Sequence, residues 1–374
     1  LKEMQGKKLD YIFLGPAKPF RGGIAETQNY LAEEISLKGF KVEIWTFTKL
    51  YPKILFPGKS QLDKSKIKKS EFKSKRIIHA YNFFKWKSVA KKINFIQPKI
   101  VVFRYWTPLI CPCWYYIKSK LDKSIKTVGL IDNWEHHEPQ IWDKKLNTYF
   151  GNSMDMIVTF SRAVGIQINK TIKKRILMGF HPIPSEKKFR LSEPKQYKKN
   201  ESDFVLFFGL IRKYKGLETL INSMKYNHNF KLLIVGEFYD DKSKYLKLIE
   251  RLNLKKRVDI VDKFVGNKEI RNYFKRSKAV ILPYKTASQS GVISLCYLFN
   301  KPIVVSNLDG LTSYIKDDNS GIVFNNTSKD LANAIDMVLD KKNNSFYSRN
   351  IKKNKNKYSW EKFADEFVKF TFNI

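Results

Sequence analysis

Cysteine is nearly missing from this chain: three in 374 residues. That is too few for a disulfide framework, and none stands at zinc-type spacing from histidine. A reducing, cytoplasmic compartment is the expectation. Glycine (17) and proline (13) are also scarce, which excludes collagen-like and low-complexity architectures. No stretch reaches the ~18 uninterrupted apolar residues that mark a membrane-crossing helix, and mean hydropathy is −0.41. The opening LKEMQGKKLDYIFLG passes from charged residues straight into a strand, so no signal peptide is expected; the alternatives for the leading Leu1 are a true start at Met4 or a fragment of a longer chain.

Acidic residues are the other deficit, 35 Asp and Glu against 71 Lys and Arg, for a formal charge of +36. An excess of that size suggests an anionic partner, nucleic acid or a membrane surface. A lysine-rich genome bias would produce the same number, so charge alone decides little. What is abundant is core material, 43% hydrophobic and 14% aromatic residues. A chain of this length corresponds to roughly two or three domains.

Short apolar runs alternate with helix-period segments, the pattern of βαβ units around parallel sheets. Strands are expected at Tyr11–Leu14, Val42–Phe47, Ile100–Phe103, Thr127–Ile131, Met156–Phe160 and Arg175–Met178, with a helix over Ala25–Leu37. Lys59–Arg76 holds eight basic and two acidic residues and is expected to be an exposed loop. His181-Pro-Ile-Pro184 and Ser192–Ser202 suggest a linker. The βα rhythm restarts at Phe204–Phe208 and continues through Lys231–Val235, Val258–Val261, Ala279–Leu282 and Ile303–Ser306. Asn343–Lys357 is basic and poorly periodic, and an amphipathic helix is expected at Trp360–Phe372. The expectation is two Rossmann-like, doubly wound domains facing a cleft: 1–185, a linker 186–202, 203–357, and 358–374 crossing back to the first.

Four segments carry candidate chemistry. Gly15-Pro-Ala-Lys-Pro-Phe-Arg-Gly-Gly-Ile24 follows the first strand, and Gly22 and Gly23 let backbone amides approach an anion at a helix start. A plain turn is the alternative. The segment is not GxGxxG and lacks the following acid, so NAD is rejected. Arg212 and Lys215 lie three apart after Phe204–Phe208, where both heads reach one diphosphate; a solvated pair is the alternative. Ser288-Gln-Ser-Gly291, with Gln289 and Ser290 between, offers amides and hydroxyls at a helix entry, or ordinary capping. Asp132-Asn-Trp-Glu-His-His-Glu138 ends a first-domain strand, and Asp132, His136, His137 and Glu138 are candidate acid, base or orienting groups, with a solvated helix start of no chemical role as the alternative. Adjacent histidines rarely converge on one ion, so no metal is expected. Cys111-Pro-Cys113 reads as buried thiols.

These loops, in this order, resemble the family-4 glycosyltransferases of GT-B fold, over nearly the whole chain. The resemblance implies that Gly22, Gly23, Arg212 and Lys215 touch the donor diphosphate, and that Tyr358-Ser-Trp-Glu361 opens an element crossing back onto the first domain. Asp132 aligns best with that family's first-domain catalytic histidine, leaving His137 five positions on. Arg21–Ile24, Tyr51-Pro-Lys-Ile-Leu-Phe-Pro-Gly58 and the loop ending His137-Glu138 are similar to a bacterial branch acting on cell-surface polysaccharides. Where the family carries two glutamates, this chain has Ala287 and Leu295. The implied activity is retaining transfer of a sugar from a nucleotide-diphosphate donor to a glycan or lipid-linked acceptor, without a metal or other cofactor. An anionic membrane surface is a candidate partner and nucleic acid is not. The alternative is a catalytically impaired relative that scaffolds glycan synthesis.

Overall fold

The computed structural model describes residues 8–50, 72, 74–135, 141–184, 186, 204–226 and 230–373. Two compact units emerge, one of Leu1–Phe180 with Trp360–Ile374, the other His181–Ser359. The boundaries differ from the expected 185 and 358 by a few residues. The reason is local: Ile183 bridges Ser359, and its amide donates to the Tyr358 carbonyl at 2.7 Å. Both passages are thereby tied into the second unit. The expected linker 187–202 lies outside the described residues.

The first unit follows the chain as β1 (Tyr11–Leu14), α1 (Gly23–Leu37), β2 (Val42–Lys49), β3 (Ser74–His79), α2 (Phe83–Ile96) and β4 (Ile100–Tyr105). It continues through α3 (Cys111–Ser119), β5 (Lys126–Ile131), α4 (Asp143–Ser153), β6 (Met156–Thr159), α5 (Arg162–Thr171) and β7 (Arg175–Met178). Its strands pair in the order β3-β2-β1-β4-β5-β6-β7, and every described pairing is parallel. Side chains alternate between the faces of a strand. Ile12 and Leu14 therefore enter one core with residues of α2 to α5, while Tyr11 and Phe13 enter the other with α1.

The second unit comprises β8 (Phe204–Phe208), α6 (Leu217–Ser223), β9 (Lys231–Val235), α7 (Lys242–Arg251), β10 (Val258–Val261) and α8 (Asn267–Arg276). After these come β11 (Ser277–Leu282), α9 (Gly291–Leu298), β12 (Ile303–Ser306), α10 (Asp309–Asp318), β13 (Gly321–Phe324), α11 (Ser328–Leu339) and α12 (Lys341–Asn354). Its sheet runs β10-β9-β8-β11-β12-β13, again all parallel. A last helix, α13 (Trp360–Phe372), belongs to the first unit, where Trp360, Phe363 and Phe367 join the core containing Tyr11 and Phe13.

Two expectations need correction. Lys59–Arg76 is not loop throughout: Ser74–Arg76 opens β3, while 59–71 and 73 lie outside the described residues. Lys75 pairs with Glu43 at 2.7 Å, and Arg76 donates to the carbonyls of Phe47 and Thr48 at 3.0 and 2.9 Å. Asn343–Lys357 is largely the helix α12, whose buried residue is Ile351 and whose start is capped by the Asp340 carboxylate. A helix that buries so little shows no apolar period. Among the described residues, no helix is long and apolar enough to cross a membrane.

Candidate active site

In the second unit the strand order reverses between β8 and β11, and ligands of doubly wound sheets bind outside the strand ends at such a point. Glycine shapes those ends. Gly209 follows β8 with φ 106° and Gly236 follows β9 with φ 154°. A Cβ on Gly236 would lie 2.0 Å from the Gly209 carbonyl oxygen, so the two turns meet backbone to backbone.

Arg212 leads into a 3-10 turn at Lys213–Lys215, closed by Gly216 in the left-handed region at φ 68°. A Cβ on Gly216 would lie 1.8 Å from the Pro283 carbonyl oxygen. The loop after β8 thus rests on the turn after β11, and the Lys285 amide donates to the Tyr214 carbonyl at 2.7 Å.

That contact buries Lys215, whose ammonium lies 5.6 Å from the centre of the Tyr284 ring. Burial, then the nearby Arg212 charge, lowers its pKa to about 8. Arg212 is exposed and lies over the Tyr239 ring at 5.2 Å. Tyr284 is itself buried, its phenol pushed above the ordinary tyrosine value by burial. The Tyr284 hydroxyl stands 3.3 Å from the Ser290 hydroxyl, which accepts from the Val292 amide at 3.3 Å and caps α9. Lys215, Tyr284, Ser290 and the start of α9 form one polar line. A buried cation in line with a helix N-terminus, with Arg212 on the same loop, suits a phosphate-bearing ligand.

Ser288 is buried and packs at α10, where a Cβ on Gly310 would lie 2.6 Å from its carbonyl oxygen. Gly291 is exposed, and a Cβ there would come 3.3 Å from Nε2 of His181. His181, Gln289, Ser290, Tyr297, Tyr314 and Tyr358 line a small open recess. Contacts join Lys215 to Ser290 through Tyr284, while Arg212 shares the Lys215 loop and Gly291 follows Ser290 at the start of α9. The structure adds Tyr284 and His181, which sequence reasoning missed. Tyr284 had a signal in its place directly after a strand and Pro283; His181 had none.

Gly22, Gly23 and Asp132 lie in the first unit. Gly22 caps α1 at φ 111°, and a Cβ on either glycine would meet nothing within 4 Å. Asp132, a candidate acid, base or orienting group from the sequence, sits at the end of β5. It is buried, with its oxygens accepting from Nε and Nη2 of Arg104 at 2.6 and 2.5 Å. Burial raises the carboxyl above the ordinary aspartate value against the pull of Arg104. Arg104 is 1% exposed, also donates to the Thr27 hydroxyl at 2.9 Å, and lies 4.8 Å from the Phe160 ring. His136, His137 and Glu138 lie outside the described residues. Cys111 and Cys113 are buried at the start of α3, their thiols pushed up by burial, Cys111 to about 11.

Residues 189–358 match the family model of glycosyl transferases group 1. An uncharacterized glycosyltransferase of Methanocaldococcus jannaschii is 26% identical over 244 residues, which cover 58% of this chain and 62% of that protein. Among solved structures, a sucrose-phosphate synthase from Thermosynechococcus elongatus superposes with TM-score 0.74 at 15% identity, over 97% of this chain and 98% of its own. A glycosyltransferase from Rickettsia africae does so with TM-score 0.74 at 15% identity, over 98% of each chain. Anabaena HepE, solved with UDP and glucose, gives TM-score 0.71 at 14% identity, over 97% of this chain and 100% of its own. At such identities the structural likeness shows the fold alone. The family-model match falls within the second unit, and the chain's two Rossmann-like units share the fold of these GT-B structures.

Proposed function

We propose that the protein is a retaining glycosyltransferase of the family-4, cell-surface polysaccharide branch. It takes a sugar from a nucleotide-diphosphate donor and gives it to a cell-envelope glycan or lipid-linked acceptor, in the cytoplasm. The observation that carries this reading is the polar line in the second unit. Lys215 is held under Tyr284, with Arg212 on the same loop and the α9 N-terminus at its end.

The main work of such a site is to hold the donor and stabilise charge on the departing diphosphate. Arg212 supplies a planar fork, Lys215 a compact charge, and Ser288, Gln289, Ser290 and Gly291 the amides and hydroxyls of the helix entry. Fixed cations do this task in the proposed mechanism, so it draws on no metal or other cofactor. Gly22 and Gly23, with Asp132, His137 and Glu138, complete the proposed residue set. Ala287 and Leu295 pack against the second unit's hydrophobic core, so any sugar contact from this helix is assigned to its polar neighbours. That HepE was solved with UDP and glucose supports a nucleotide-diphosphate donor.

The test is a panel of nucleoside diphosphates and their sugars scored by thermal shift, since a ligand at 100 times its Kd adds about 2.7 kcal/mol. Arg212→Ala and Lys215→Ala should each weaken binding of the responding ligand by about 1.5–3 kcal/mol. A panel without a response, or variants that bind like the parent, would overturn the reading. The anomer of the product, read by NMR, decides retention.

A further inference from the structure

The helices α2, α3 and α4 pack side by side along one face of the first unit's sheet. Their outer surface is unlike the usual solvated helix face. Phe84 is 83% exposed, Tyr149 62% and Trp142 53%. Phe83, half exposed, lies 4.4 Å from the Tyr116 ring, joining α2 to α3; Tyr115 and Tyr149, 6.5 Å apart, join α3 to α4. A continuous aromatic surface of this kind marks an interaction site on a folded domain.

Lysines are set among the rings. On α2, Phe84, Lys91 and Phe95 recur at helical spacing on the side opposite buried Val89, Ala90 and Ile93, with Lys87 beside them. This helix carries four lysines and no acid, and α3 carries Lys118 and no acid. On α4, Lys144 and Lys145 are exposed while Asp143 is buried. Exposed Phe, Tyr and Trp interleaved with lysine match the chemistry of the bilayer interface, where rings sit at the headgroup boundary and ammonium groups meet anionic lipid. A second copy docking by two-fold symmetry would bring lysine against lysine. Nucleic acid calls for a groove along its backbone, whereas this surface is the outside of three helices.

We propose that the α2–α3–α4 face docks the protein onto an anionic membrane surface. The proposal does not draw on the basic run Lys59–Arg76, whose described end, Lys75 and Arg76, is committed to the sheet edge. It does not depend on the glycosyltransferase reading, because its readout is partitioning rather than turnover.

The experiment is co-sedimentation of the full chain with vesicles of phosphatidylglycerol and phosphatidylcholine, beside vesicles of phosphatidylcholine alone. The parent should bind the anionic vesicles and release them as the Debye length shrinks from about 10 Å to about 3 Å with added salt. A Phe84→Ser, Trp142→Ser variant should lose binding about tenfold or more, since each exposed ring is a large apolar payload. So should a variant with Lys87, Lys91, Lys144 and Lys145 changed to Gln. Circular dichroism of both should match the parent, because the altered side chains lie outside the core. Parent tryptophan emission should shift to the blue on anionic vesicles, and Trp142→Phe should remove part of that shift. The proposal is overturned if the parent stays in the supernatant at low salt, or if both variants bind as the parent does. It is equally overturned if the aromatic variant abolishes self-association or oligonucleotide binding while vesicle binding persists.

Discussion

Lys215 and Tyr284 face each other across the ends of neighbouring strands, the ammonium 5.6 Å from the ring centre. This pairing places a buried cation where the chain would otherwise offer only backbone, and it lowers the lysine's pKa to about 8 through burial. Two linked pH effects follow. The unfolded chain holds the extra proton between about 8 and 10.5, so stability rises with pH across that window. A bound diphosphate favours the charged amine, so binding above pH 8 must take up a proton. Affinity for the responding nucleoside diphosphate should fall by roughly tenfold per pH unit there. Calorimetry in buffers of different ionisation enthalpy measures the uptake, and Lys215→Met should abolish it.

Gly216 and Gly23 should respond oppositely to alanine. At Gly216 the added carbon would sit 1.8 Å from the Pro283 oxygen in a left-handed backbone, so Gly216→Ala should cost more than about 2 kcal/mol. At Gly23 the same carbon meets nothing within 4 Å, and Gly23→Ala should stay within about 0.5 kcal/mol of the parent. Thermal melts decide both. If Gly23→Ala weakens nucleotide binding with stability intact, a backbone approach at that residue is supported.

Gly291→Val should retain the fold and lose turnover. Its Cβ would lie 3.3 Å from the His181 ring, and its branches would cover the open side of the α9 start. Unchanged turnover alongside unchanged circular dichroism would remove this loop from the site.

Asp132→Asn should destabilise the first unit by about 3–5 kcal/mol, because Arg104 would be left as an uncompensated buried charge. An Arg104→Met, Asp132→Leu variant should recover much of that loss. Its activity then separates two roles that the single substitution confounds. Full transfer by the double variant would make Asp132 a structural counter-ion; a folded but inactive protein would support its place in the chemistry.

The fold was legible wherever strands are buried on both faces. Tyr11–Leu14 and Phe204–Phe208 are apolar from end to end, Ile303–Ser306 is apolar up to its last residue, and each is a strand over those residues. The strands that escaped notice are sheet edges. Ser74–His79 and Gly321–Phe324 each pair on one side, and neither is buried along its full length. The site was partly legible. Spacing brought Arg212 and Lys215 forward, but nothing in the sequence distinguishes a lysine that will be buried under tyrosine from its many exposed counterparts. Arg104 was hidden for the same reason: a charged residue within an apolar strand reads as an interruption until Asp132 is seen to pair with it.

The hydroxyls of Tyr11 and Thr371 share a hydrogen bond of 2.7 Å across 360 positions of chain. During synthesis, therefore, the sheet face bearing Tyr11 and Phe13 waits for α13 until residue 372 has left the ribosome, by which time the entire second unit has emerged. Early folding must proceed with that flank uncovered, the condition in which nascent chains stick to one another or recruit chaperones. A chain lacking Trp360–Phe372 would keep every described strand of both sheets and still lose one of the first unit's covering helices, so a change at 360–372 is felt at Tyr11 and Phe13, about 350 positions away.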